Sequence, residues 1–154
     1  MYAVIVLLLC VVLPIGSVVA DHAWWHLAVP WPVLVGKWFV FWSGGIRLLL
    51  GGVRQLAQPR FTAKDILGIA SDDALPLVQE LGVANLAAGV AATLSIVFPG
   101  FVLPMAIVGA MFYGGAGIRH ALGERHTFNQ NLAMATDLLV GAVLAIFIVY
   151  RAVA

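Results

Sequence analysis

The sequence predicts an all-α transmembrane helical bundle of five spans. Of 154 residues, 63% are hydrophobic and only 10% are charged. The mean hydropathy is +1.05. The apolar residues also fall into runs of roughly 20, the length of helix that crosses the hydrocarbon core of a bilayer. Soluble domains are about a quarter charged, and a chain this short cannot bury so much apolar surface in one water-soluble core. Lipid is therefore the expected covering. A formal net charge of +1 without a long basic run excludes a nucleic-acid partner. A lone Cys10 excludes a disulfide framework, a CxxC redox pair and a thiolate metal cluster. No motif names a cofactor.

The first element, residues 1–20, is an almost unbroken Val/Leu/Ile run. Val18 and Ala20 before Asp21 form a loose cleavage pattern, but the basic start of a signal peptide is missing, so a retained anchor is expected. Cys10 follows three leucines, a poor lipid-attachment motif, and reads as a buried thiol. Residues 21–32 form a connection rich in tryptophan: Trp24, Trp25 and Trp31 have the amphipathic rings that settle at a membrane interface. His22 and His26 are four apart, the spacing of a metal pair on a helix, yet only Asp21 stands nearby as a further ligand. Interfacial anchoring is the expectation there, and no metal.

Residues 33–154 are expected to form a four-helix unit. Its first span runs over 33–56 and carries Arg47 inside. A polar segment, 57–75, follows with a short surface helix, where Thr62 and Asp65 have capping-box spacing. The next span starts near Pro76, whose fixed φ suits a first helical turn, and ends at the Pro99-Gly100 turn. Two more spans cover 101–122 and 129–150, with N-cap chemistry at Ser71–Asp73 and Thr127–Asn129. Arg54, Arg60, Lys64, Arg119 and Arg125 flank one side of this arrangement, against Lys37 and Arg151 on the other. The positive-inside rule then puts the N-terminus in the cytoplasm and the C-terminus and the tryptophan-rich connection outside.

Polar groups inside the spans are expensive in hydrocarbon and face a bundle interior, a partner or a water-filled cavity. Gly44, Arg47 and Gly51 share a helical stripe; so do Asn85, Gly89 and Thr93; Gly109, Tyr113, Gly117 and His120; and Ala133, Asp137, Gly141 and Ala145. Small residues mark the faces on which membrane helices pack, so these polar groups are expected to point inward. At a rise of roughly 1.5 Å per residue, Arg47, Asn85 and Asp137 lie roughly 12 to 14 Å from the basic surface. Glu80, His120 and Asn131 lie within about 6 Å of it. Two layers are expected: Arg47 with Asp137 and Asn85, and, nearer the surface, Glu80, Arg54, Arg119 and His120. The candidate cluster is thus Arg47, Glu80, Asn85, Tyr113, His120, Asn131 and Asp137. It reads either as a pocket open to the cytoplasm or as ion pairs and hydrogen bonds that only fix helix register. Bis-histidine haem ligation is not expected, because His120 has no opposite number at its depth.

Two resemblances rest on particular residues. Phe41-Trp-Ser-Gly-Gly-Ile-Arg47-Leu, the basic exit through Arg54 and Val78-Gln-Glu80-Leu-Gly82 resemble the DoxX-like group of small bacterial membrane proteins. Glu80-Leu-Gly-Val-Ala-Asn-Leu86, Phe112-Tyr-Gly-Gly-Ala-Gly-Ile-Arg-His120 and Asn131-Leu-Ala-Met-Ala-Thr-Asp137-Leu resemble an uncharacterised bacterial integral-membrane family. The DoxX-like resemblance implies a four-helix bundle in the inner membrane and an association with quinone-linked redox enzymes. The extra first helix departs from that pattern. The expected function is a ligand-binding or accessory membrane subunit, whose partners are the bilayer and a membrane protein or a second copy. A proton-coupled carrier would instead use Glu80 and Asp137, and a lipid- or quinone-acting enzyme would use Glu80 and His120 as acid and base. Absence of a repeat, a nucleophile or a metal motif ranks these lower.

Overall fold

A computed structural model describes residues 2–25, 28–123 and 127–154. Among them every regular element is helical. Five helices are long and apolar enough to cross a membrane: α1 (Tyr2–Trp24), α2 (Trp31–Ala57), α4 (Asp72–Leu94), α5 (Pro99–Ala121) and α6 (Phe128–Val153). A short helical segment, α3, occupies residues 59–66 between α2 and α4. His26 and Arg125, which entered the reading of the metal pair and of the flanking charges, lie outside the described residues.

Local chemistry sets the ends. Pro30 and Pro32 flank the start of α2, where a missing N–H costs nothing. Ser71 accepts from the amide of Asp73 at 3.2 Å, and Asp72 and Asp73 place negative charge in the first turn of α4. Thr127 and Gln130 form a capping box at α6, with the Gln130 amide on the threonine hydroxyl at 3.3 Å and the Thr127 amide on the glutamine side chain at 2.8 Å. The capping box expected at Thr62 and Asp65 is not formed. Both lie inside α3, which runs on through Phe61 as a wider π turn, and Thr62 is buried.

Helix α1 extends past residue 20 to Trp24, which brings Asp21 onto the helix and into the bundle. Its carboxylate is 2% exposed and takes hydrogen bonds from Lys37 Nζ at 2.7 Å and Trp38 Nε1 at 2.8 Å. The tryptophan-rich connection is correspondingly shorter than expected. Trp24, Trp25 and Trp31 are all exposed, and His22 stacks on Trp31 with ring centres 4.1 Å apart.

Close backbone approach holds the spanning helices together. A Cβ on Gly52 would lie 2.7 Å from the Gly82 carbonyl oxygen, and one on Gly89 would lie 2.7 Å from the Leu49 amide. Helices α2 and α4 therefore touch backbone to backbone. Gly141 of α6 meets Gly114 of α5 in the same way, at 2.8 Å, and Gly117 faces Leu138. The stripes on α4, α5 and α6 face their neighbours as the spacing predicted, except at Ala145, which is exposed. On α2 Gly44 faces Ala92 as predicted, a Cβ there lying 3.5 Å from that methyl, but the tightest contacts come from Gly45 and Gly52. Gly51 instead faces open space. Gly89→Val should cost about 1–3 kcal/mol by forcing α2 and α4 apart, whereas Gly16→Ala, with nothing within 4 Å of the new methyl, should gain roughly 0.5–1 kcal/mol. Reversible unfolding in detergent micelles measures both.

Candidate binding site inside the bundle

Two irregular turns face each other at the level of Arg47. In α1 the π turn Leu8–Val12 sends the amide of Leu13 back to the carbonyl of Leu8, five residues away. The carbonyl of Leu9 would next look to residue 14, which is a proline and has no N–H. The buried Ser43 hydroxyl fills that position, donating to Leu9 O at 3.1 Å. In α2 the π turn Val40–Ile46 repeats the pattern: the Arg47 amide bonds to Trp42 O, and the Ser43 carbonyl accepts the hydroxyl of Tyr113 from α5. Each side-chain donor thus satisfies a carbonyl that the local helix leaves short of a partner, as apolar surroundings require. π turns inside helices gather at functional sites.

These contacts aim Arg47 into the bundle. Its Nη2 donates to Asp137 Oδ1 of α6 at 2.8 Å. The guanidinium carbon lies 4.9 Å from the centre of the Tyr113 ring, a cation–π contact. Tyr2 lines the same cavity as Arg47, and the buried Cys10 belongs to the same core as Tyr113. Arg47 Nη1 is buried and has no hydrogen-bond partner among the described residues.

Below this tier, towards the basic end, opens a cavity of about 410 Å³. Its charged and amide lining comes from Arg47, Arg54, Gln55, Asn85, His120 and Asp137, and Tyr2, Thr62 and Tyr113 add hydroxyl groups. Elsewhere the wall is mainly apolar, with Val6 and Leu9 of α1, Leu81 of α4, Phe112 and Ala116 of α5 and Ala133 of α6. Phe61, Thr62, Ile66 and Leu67 roof it from α3 and the loop that follows. Arg54 stacks on Phe61 at 3.5 Å, and Phe61 meets Tyr2 at 5.8 Å, so the roof is tied to α1 and α2. Ile5 and Leu50 line the cavity and are also exposed on the bundle surface, so it reaches the flank between α1 and α2. The size and the mostly apolar wall with a few convergent polar groups are those of small-molecule sites.

The predicted residues divide. Arg47, Tyr113 and Asp137 come together directly, and Asn85 and His120 line the same cavity. Asn85 does not complete the Arg47 pair. It donates to Gln55 at 2.8 Å, because the glycine contacts between α2 and α4 set it opposite the helical turn beyond Arg47. Glu80 and Asn131 are exposed and lie outside the cavity wall, which corrects the expected grouping of Glu80 with Arg54 and His120 and removes Asn131 from the cluster. The inward face of α4 is Val78, Gly82, Asn85, Gly89 and Ala92, and Glu80 falls well off it. On α6, Gln130, Ala133 and Asp137 point inward, and Asn131 is about 100° round from Gln130. Gln55, Thr62, Tyr2 and Ser43 were not foreseen. The signal for Gln55 was present, since it lies on the polar tail of α2 beside Arg54. Among the described residues no group of three His, Cys, Asp or Glu could hold a metal ion.

The profile of a family of unknown function, DUF6790, matches residues 1–154, the entire chain. The chain belongs to this family. Searches of curated proteins and of solved structures gave no match. Membership in DUF6790 thus leaves the cavity itself as the source of a functional reading.

Asp137→Asn should cost about 3–5 kcal/mol, since it leaves the Arg47 charge buried without its counter-ion. Replacing the pair together, Arg47→Met with Asp137→Leu, should restore most of that loss. Unfolding midpoints of the three variants in one detergent decide the matter.

Proposed function

We propose that this chain is a ligand-binding or accessory subunit of a bacterial inner membrane, holding a lipophilic molecule in the cavity beneath Arg47. The observation that carries the reading is the cavity itself: about 410 Å³, mainly apolar, with the Arg47–Asp137 pair in its lining. A purely structural ion pair needs no space beside it. Here Gly51, on the same stripe as Arg47, leaves the interior open where any larger residue would fill it. The cavity's reach to the surface between Ile5 and Leu50 suits a molecule that arrives sideways from the hydrocarbon.

The excess of Arg54, Arg60, Lys64 and Arg119 at the roofed end supports a cytoplasmic placement for that end, with the tryptophan-rich end outside. The DoxX-like resemblance favours a redox or quinone-linked setting for a bundle of this size. The carrier and enzyme alternatives both depend on Glu80, which is exposed and apart from the cavity wall. Neither is favoured over binding.

Native mass spectrometry of protein gently extracted from its host membrane should find an adduct of lipid or quinone mass. Gly51→Phe should lose that adduct while unfolding at the same temperature as the parent, because the ring occupies free space. A parent chain carrying no adduct would overturn the proposal.

A further inference from the structure

We infer that the occupant of this cavity is a single-chain amphiphile with an anionic head, a carboxylate or phosphate monoester. The inference rests on the binding reading above and adds the chemistry of the ligand. It follows from the charges that line the wall. Arg47 and Asp137 neutralise each other at 2.8 Å. Arg54 remains, half-buried, stacked on Phe61 and with no carboxylate partner among the described residues. The other described acids near this end, Asp65, Asp72, Asp73 and Glu80, are exposed and none lines the cavity. Asp72 is taken by Arg60 at 2.6 Å. The wall therefore carries one more fixed positive charge than negative, with His120 beside it. A positive charge in apolar surroundings is costly until an anion joins it.

The donors are placed for such a head. Arg47, Gly51 and Arg54 fall at i, i+4 and i+7 of α2 and share one face. The two arginine backbones are roughly 10 Å apart along the helix, and both long side chains line the space between. Arg47 lines the cavity with its charge already met by Asp137, and Arg54 supplies the charge left over. A neutral head would leave that charge unanswered. The volume limits the tail. A cavity of about 410 Å³ equals about fourteen water volumes, room for one alkyl chain and a small head rather than a two-chain lipid. The apolar flank at Ile5 and Leu50 gives that tail its route in.

The test uses the full chain, stripped of lipid and placed in phosphatidylcholine nanodiscs, with binding read against empty discs at neutral pH. The probes are palmitate, hexadecyl phosphate, hexadecanol, a short-chain ubiquinone and acetate. Palmitate and hexadecyl phosphate should bind about tenfold or more tightly than hexadecanol, the worth of a charge-assisted hydrogen bond. Arg54→Gln, which gives up the stacking on Phe61 but none of the glycine contacts between α2 and α4, should erase the preference and keep the affinity for hexadecanol. Arg47→Met with Asp137→Leu should weaken anion binding in a bundle that still unfolds cooperatively. Hexadecanol or ubiquinone bound as tightly as palmitate would overturn the anionic head and leave the binding reading standing. Acetate bound as tightly as palmitate would overturn the tail. Binding of none of the five would overturn the binding reading as well.

Discussion

The bundle depends on one ion pair placed where ions are least welcome. Arg47 comes from α2 and Asp137 from α6, ninety residues on, and each makes the other tolerable in a low-dielectric interior. The pair also fixes how α2 and α6 face each other, since a turn of either helix by one residue would leave two charges buried apart. Tyr113 of α5 lies against the guanidinium and bonds to α2 through the Ser43 carbonyl. Three helices therefore share one polar knot. Helix α1 joins through the Ser43 hydroxyl on Leu9, and α4 joins lower down through Asn85 and Gln55.

Around that knot, glycine does the work that large side chains do in soluble cores. Lipid tails are as apolar as leucine, so helices gain little by hiding leucines from them, and close packing must supply the attraction. Gly52 with Gly82, Gly89 with Leu49, and Gly141 with Gly114 bring backbones into contact along the two tightest pairs. Where α1 and α2 separate from α5, the same absence of side chain at Gly51 leaves space instead of contact. One residue type thus both closes the bundle and opens its cavity, according to which side of α2 it stands on.

Much of this was legible in the residues themselves. Composition and run length gave the five helices, and small-residue stripes gave the inward faces of α4, α5 and α6. Counting depth from the basic surface set Arg47 level with Asp137, because each is far enough from its helix end for small errors to cancel. The count failed for Asn85. Its neighbour is chosen by the crossing of α2 and α4, which no single-helix count contains. Depth alone also could not say that Glu80 and Asn131 lie on outward faces; their angular positions relative to Gly82 and Gln130 decide that. Asp21 was read as part of a connection because its polarity ends the apolar run, yet Lys37 and Trp38 on the next helix make a helical aspartate affordable there.

The π turn at Val40–Ile46 has a genetic counterpart. A backbone that bonds five residues back carries surplus chain relative to a regular α-helix of the same rise. Removal of one codon from this stretch would let α2 relax into regular geometry with its hydrophobicity unchanged. The segments on either side would keep their facing, because the residue removed is the one the wide turn holds in surplus. What would go is the Ser43 carbonyl that the wide turn leaves for the Tyr113 hydroxyl, while Arg47 kept its hold on Asp137. In this span the number of residues is as much a coded quantity as their identity, and insertions and deletions should be rarer here than substitutions among Val, Leu and Ile.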